Sequence, residues 1–242
     1  MKSVINLYKL KMRLVINGAV LVIPTVAVAA FLSVMYSIVP QQVTSSFLMS
    51  GVILFVISTY ISMVVQARED DVHEELLMLH SHSESGYYIS RELVIYSISL
   101  VYAIILIIYP LIRYMANKGF FTRPLEMEDV VFGSLFVIGN GICGVALGDF
   151  FHHRIINKRR NGIIALVFIV VLAFCKVAIT QKISFLKILN FLLPPVLDGY
   201  KMVGDTDIFE PKESTLIFIH SILFVLALII IKIVLLRHRK FS

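Results

Sequence analysis

Tryptophan is missing from this chain, and cysteine occurs twice, at 143 and 175. Without tryptophan, any aromatic girdle at a membrane surface has to come from the 10 tyrosines and 17 phenylalanines. Both cysteines fall inside apolar runs and at different depths. They read as small buried side chains, not as a disulfide or a thiolate metal site. Charge is scarce as well: Asp, Glu, Lys and Arg make up 16% of the residues, against about 25% in soluble domains. No G-x-x-x-x-G-K-[ST] phosphate loop occurs, so the chain is not expected to bind or hydrolyse a nucleoside triphosphate. No connecting stretch approaches the roughly 50 residues that a separate soluble domain needs.

What the chain has is apolar length. Of its 242 residues 58% are hydrophobic, and they gather in six runs at 14–38, 47–66, 93–112, 130–148, 162–181 and 214–236. Each is close to the ~20 residues that cross a ~30 Å hydrocarbon core. The expectation is one all-α integral membrane domain over 1–242 with six transmembrane helices. The first run exceeds the 7–15 apolar residues of a signal peptide, and another span follows at once. It reads as a retained helix kinked at Pro24.

Six spans put both termini on one side. That side collects Lys2, Lys9, Lys11, Arg13, Arg68, Arg91, Arg154, Lys158, Arg159, Arg160, Lys232, Arg237, Arg239 and Lys240. The other holds Arg113, Lys118, Arg123, Lys176, Lys182, Lys187, Lys201 and Lys212. Basic residues resist translocation, so 14 against 8 marks the first side as cytoplasmic. Residues 1–13 carry Val4, Ile5, Tyr8 and Met12 near one face and Lys2, Lys9, Lys11 and Arg13 largely elsewhere. This suits an amphipathic helix on anionic lipid, with a frayed basic tail as the alternative. In the fourth run, Gly144-x-x-x-Gly148 is a surface on which helices approach closely. It reads as a seam between subunits, a hinge, or ordinary packing within one subunit. "KISFLKILNFLLPP" makes an apolar helix too short to span, re-entrant or interfacial at the outer leaflet, and stopped by Pro194 and Pro195.

The stretch between runs two and three, "QAREDDVHEELLMLHSHSESGYYISRE", is unlike the rest. On a helix from about Asp70 to His80, Val72, Leu76 and Leu79 share one face with Leu77 at its edge. Asp70, Asp71, Glu74 and Glu75 gather at its start, where the helix dipole favours carboxylates. "SHSESG" then breaks the helix. A cytoplasmic amphipathic helix with an acidic flank suits docking into a partner's groove; a solvated surface helix is the other reading.

Six spans, both ends inside, that cytoplasmic helix, and apolar half-helices between spans five and six together resemble the ABC-2 type permease family, the membrane subunits of type V exporters. "REDDVHEELLMLHSHSESGYYISREL" resembles the family's segment of acidic residues, paired leucines, a short break, then a Tyr and a basic residue opening span three. Where a Gly-Thr often precedes the leucines and Pro-Val-Ser often follows, this chain reads "VH" and "SHS". The resemblance implies a bacterial plasma-membrane permease whose coupling helix sits in a cleft of a separate ATP-binding subunit. Glu69, Asp70, Glu74, Leu76, Leu77 and Leu79 would transmit the motion, and Gly144 and Gly148 would form a packing seam. The partners implied are that ATPase, which binds ATP and Mg²⁺, a second permease copy or paralogue, and membrane lipid. This chain would carry no cofactor and contact no nucleic acid. A hydrophobic or amphipathic peptide, or an antibiotic-like molecule, is the expected substrate.

Two other classes bear weighing. Glu74-Glu75 and His153-x-x-x-Asn157 faintly resemble the glutamate-pair intramembrane proteases. The Arg normally four residues after the second Glu is here Leu79, and both groups sit at membrane edges, not in a sheltered pocket. Gly133-Ser134 lacks the glycine pattern of a serine protease, and His220 reads as a hydrogen-bonded core histidine. His73 and His80 lie about 10 Å apart along a helix, too far for one Zn²⁺. With His82, His152 and His153 they read as surface residues. A non-transporting membrane anchor or sensor subunit is the remaining alternative.

Overall fold

The computed structural model describes residues 2–67, 84–151, 156, 159–182, 189–200 and 207–238. Lipid offers backbone amides no partners, and the long elements here bond their own, as helices. They are α1 (Lys2–Asn17), α2 (Val22–Met35), α3 (Val43–Ala67), α4 (Glu84–Ala116), α5 (Met127–Phe150), α6 (Arg159–Lys182), the single turn α7 (Leu189–Leu192) and α8 (Pro211–His238). Five, namely α3, α4, α5, α6 and α8, are long and apolar enough to cross a membrane. Among the described residues a sixth crossing is present if α1 and α2, bent by 66° at a short break, count as one.

That break does not fall at Pro24. It lies at 18–21, where Ala19 takes a left-handed φ of 53°. Pro24 sits in the first turn of α2, where an N–H has no carbonyl four residues back within the helix, so the ring is accommodated without a kink. The faces of α1 also differ from the sequence expectation. Leu7, Lys11 and Val15, spaced four apart, are buried, and α1 packs on α4. Ile5, Leu10, Leu14 and Ile16 are exposed. Lys11 belongs to the packed face because the Tyr87 ring, 3.7 Å from its Nζ to the centroid, offers the ammonium an electronegative surface. Tyr8 Oη donates to Ser97 Oγ at 3.2 Å.

The centre of the bundle is α5 against α3, with α4 and α8 on its flanks. Between lipid-immersed helices there is little hydrophobic drive, and close backbone approach with hydroxyl bonds takes its place. A Cβ on Gly144 would collide with the Phe55 carbonyl oxygen, and one on Gly148 would lie 2.6 Å from that of Thr59. The Gly144–Gly148 surface is thus filled by α3 of the same chain. Ser62 Oγ donates to the Val145 carbonyl at 3.1 Å, and Ser58 and Ser99 hydroxyls bond at 2.7 Å between α3 and α4. In contrast, α6 and α8 leave most of their apolar surface uncovered.

At one end of the bundle the chain between α3 and α4 passes through residues 68–83. At the opposite end, Gln41 pairs with the 120–122 strip through Gln41 N–Phe120 O at 3.1 Å and Thr122 N–Gln41 O at 2.9 Å. Tyr36, Tyr109, Tyr114, Phe120 and Phe121 cluster there. Arg113, near the end of α4, donates to the Tyr36 carbonyl at 3.1 Å and lies 4.8 Å over the Phe120 ring. The helix α4 has 33 residues, about 50 Å at 1.5 Å per residue.

Asp207 fastens this end. Its carboxylate accepts from Val43 N (3.0 Å), Thr44 N (2.9 Å), Thr44 Oγ1 (2.6 Å) and Thr122 Oγ1 (2.8 Å), capping α3 from outside the helix. Partial burial pushes this carboxyl's pKa up, but the hydrogen bonds from Thr44, Thr122 and Val43 outweigh it and hold the group below its ordinary value.

Two expectations follow. Gly144→Ala forces α3 and α5 apart and costs about 1–3 kcal/mol, read as a lower melting midpoint in detergent. Gly162→Ala, where the nearest atoms are 3.9 Å away, leaves the midpoint unchanged or raised. Because Asp207 titrates lower folded than unfolded, its stabilisation is complete above the unfolded value near 3.9 and drains away as pH falls through the lowered one. Asp207→Ala should therefore narrow its gap to wild type in acid melts; a gap independent of pH would contradict the clip.

Candidate functional site

Four helices bring ionisable groups together where 68–83 leaves and rejoins the bundle. Gln66 lies at the last turn of α3, Arg91 and Glu92 two turns into α4, Asp149 at the last turn of α5, and Lys232 in the last two turns of α8. Asp149 is the hub. Its Oδ1 accepts from Gln66 Nε2 at 2.6 Å and from Arg91 Nη2 at 3.2 Å, and its Oδ2 pairs with Lys232 Nζ. Gln66 Nε2 also donates to the Asp149 backbone carbonyl at 2.7 Å. Lys232 Nζ donates to Glu92 Oε1 at 3.0 Å.

Arg91 is 0% exposed, and Asp149 and Lys232 4% each, so these charges have left water. An ionised group in such surroundings is tolerated only with opposite charge and hydrogen bonds around it. Among the described residues, the carboxylates of Glu92 and Asp149 face the cations of Arg91 and Lys232. The Arg91 guanidinium also lies 5.3 Å over the Tyr88 ring, and Tyr88 meets the buried Tyr87 edge-on. Through Tyr87 the node touches Lys11, which brings α1 to the same place.

Mechanically, the node ties together the two helices that hold 68–83. The end of α3 is bonded through Gln66, and the start of α4 through Arg91, to the same residue of α5. Asp149 and Glu92 in turn hold α8 through Lys232. Displacement of 68–83 relative to the bundle must either carry α5 and α8 with it or break this node.

Of the residues singled out in the sequence, Glu69, Asp70, Glu74, Leu76, Leu77 and Leu79 lie outside the described residues, as do His73, His80, His82, His152 and His153. Gly144 and Gly148 lie one helical turn apart on α5, and Gly148 directly precedes Asp149. Of the "SHSESG" stretch expected to break the helix, Glu84, Ser85 and Gly86 form the first turn of α4, and 81–83 lie outside the described residues. Lys176 is buried in α6 and pairs with Asp198. Among the described residues no three His, Cys, Asp or Glu side chains are arranged to hold a metal ion.

Sequence reasoning passed over the node. Its windows ended at Gln66 and Gly148 and began at Leu93, which left Arg91, Glu92 and Asp149 as loop residues. Lys232 counted only as a topology marker. The signal was there in principle: a charge within an apolar span faces the interior and needs a partner.

Fold and site together define a multi-pass helical membrane protein. The chain matches no family model, no curated protein and no solved structure.

Removing the hub leaves two cations buried without it. Asp149→Ala should cost about 3–5 kcal/mol, measured as lost folded protein in detergent. Lys232→Met should cost less, since Arg91 and Gln66 remain on Asp149. In the cycle Asp149→Asn/Lys232→Met the coupling should be about 1–3 kcal/mol; strict additivity would mean the pair contributes nothing.

Proposed function

We propose that this chain is the permease subunit of an ATP-driven exporter in a bacterial plasma membrane, with its termini and residues 68–83 in the cytoplasm. One observation carries the reading. The helices entering and leaving 68–83 are both bonded to Asp149, so a force on that segment reaches α5 and α8. That is what a coupling element requires, and its acidic and leucine-rich faces suit a groove on a partner.

In this mechanism the motor is a separate polypeptide that binds ATP and Mg²⁺. Glu69, Asp70 and Glu74 meet its basic surface, and Leu76, Leu77 and Leu79 fill its cleft. Closure of two such ATPases draws the segment with it, and the node passes that displacement to the spans. A second permease subunit completes the pathway. The described spans are lined by apolar side chains with few charges, which suits a hydrophobic or amphipathic peptide or an antibiotic-like molecule.

The test is co-purification from native membranes in mild detergent, comparing wild type with Leu76→Asp/Leu79→Asp at equal insertion. An ATPase bearing a phosphate loop should accompany wild type and be lost from the variant. If none accompanies wild type, the exporter reading fails.

A further inference from the structure

At the end opposite 68–83, residues 193–199 run as non-helical chain within the bundle. After α7 stops, Leu193 and Val196 are buried and residues 196–199 form a turn. Gly199 lies so close to Leu48 and Phe136 that a Cβ would stand 2.5 Å from one and 2.6 Å from the other. Those residues sit five positions into α3 and nine into α5, about 7–14 Å below the helix ends. Irregular backbone is tolerated at such depth only when protein or a watery cavity surrounds it. Here it is wedged between α3, α5, α6 and α8.

The forces on this wedge are opposed. Among the contacts holding it in are the apolar packing of Leu193 and Val196, a 3.4 Å bond from Asn140 Nδ2 to the Val196 carbonyl, and the Lys176–Asp198 ion pair. Lys176, fully buried in α6, donates to Asp198 Oδ2 at 2.7 Å and to the Pro194 carbonyl at 3.2 Å, so one ammonium grips both sides of the turn. Working against it are buried polar atoms. Asn190 Oδ1, Tyr200 Oη and His220 Nε2 have no hydrogen-bond partner among the described residues. Each adds the desolvation cost of an unmade bond to the seated state. A segment whose seating is disfavoured by such groups and secured in part by a buried charge pair is poised to move when that pair is released.

We propose that residues 193–199 are a movable wedge closing one end of the bundle, with Lys176–Asp198 as its latch. Release of the pair lets the turn withdraw and opens the crevice between α3, α5, α6 and α8. The proposal does not depend on ATP-driven export; were export established, the wedge would be the gate on the far side of the membrane from the motor.

The experiment is maleimide labelling in permeabilised cells, with both membrane faces reachable. In a Cys143→Ala/Cys175→Ala background, Val196→Cys should be protected, while Asn117→Cys, in the exposed connection after α4, reacts readily. Lys176→Gln and Asp198→Asn should each raise labelling at 196 at least about tenfold, the least expected from breaking a buried pair. In a parallel set retaining Cys143, that thiol should stay protected in the same variants. Should Lys176→Gln fail to accumulate, the milder Asp198→Asn, which keeps an oxygen acceptor, carries the test. Three results would overturn the proposal: labelling at 196 as fast as at 117 with the latch intact, no increase in the latch variants, or equal exposure of Cys143, which would mean the pair holds the whole bundle.

Discussion

The backbone contact between α3 and α5 is what the remaining structure rests on. Two glycines one turn apart let the carbonyls of Phe55 and Thr59 approach α5 as no side-chain-bearing residue would permit. Since lipid tails are as apolar as leucine, that intimacy, with the serine bonds from Ser62 and Ser58, replaces the hydrophobic drive of a soluble core. Once the two helices are fixed, Gln66 and Asp149 meet at one end, and Leu48 and Phe136 frame the crevice that receives Gly199 at the other.

The two ends are then fastened by different chemistry. At the 68–83 end Arg91, Glu92, Asp149 and Lys232 join α4, α5 and α8, and Gln66 adds α3. At the opposite end Asp207 draws in the start of α3, and Lys176 draws in the turn at 194–198. The difference is in what is joined. Asp149 gathers side-chain partners from α3, α4 and α8, whereas the Lys176 ammonium joins one helix to the two sides of a turn, the Pro194 carbonyl and the Asp198 carboxylate. The 68–83 end is therefore tied helix to helix, and the opposite end ties a turn to a helix.

The helical membrane character was legible because it depends on run length and composition, which the residues state directly. The Gly144–Gly148 spacing was legible as a close-approach surface; which helix fills it was not, because all spans are similarly apolar and nothing local distinguishes α3 as the partner. The bend after α1 was misplaced for a local reason. Pro24 looks disruptive within an apolar run, but its effect depends on whether the helix has already begun. The charge node was missed because Arg91, Glu92 and Asp149 stand at the edges of their runs, where a residue can equally face water. Only the long reach of α4 beyond its apolar window puts Arg91 inside. Lys11 misled in the same way: a lysine on a basic amphipathic segment reads as lipid-facing until a tyrosine ring is seen beneath it.

Arg91 and Arg113 have one more consequence. They stand twenty-two residues apart on α4, about 33 Å at 1.5 Å per residue, close to the ~30 Å of a bilayer's hydrocarbon layer. Each is held in place, one by Asp149 and the other by the Tyr36 carbonyl and the Phe120 ring. Such a helix cannot shorten by letting its arginines slide, so it acts as a gauge of thickness. A thicker or thinner bilayer must deform around α4 or tilt it, which makes lipid chain length a physical variable in whatever motion the bundle performs.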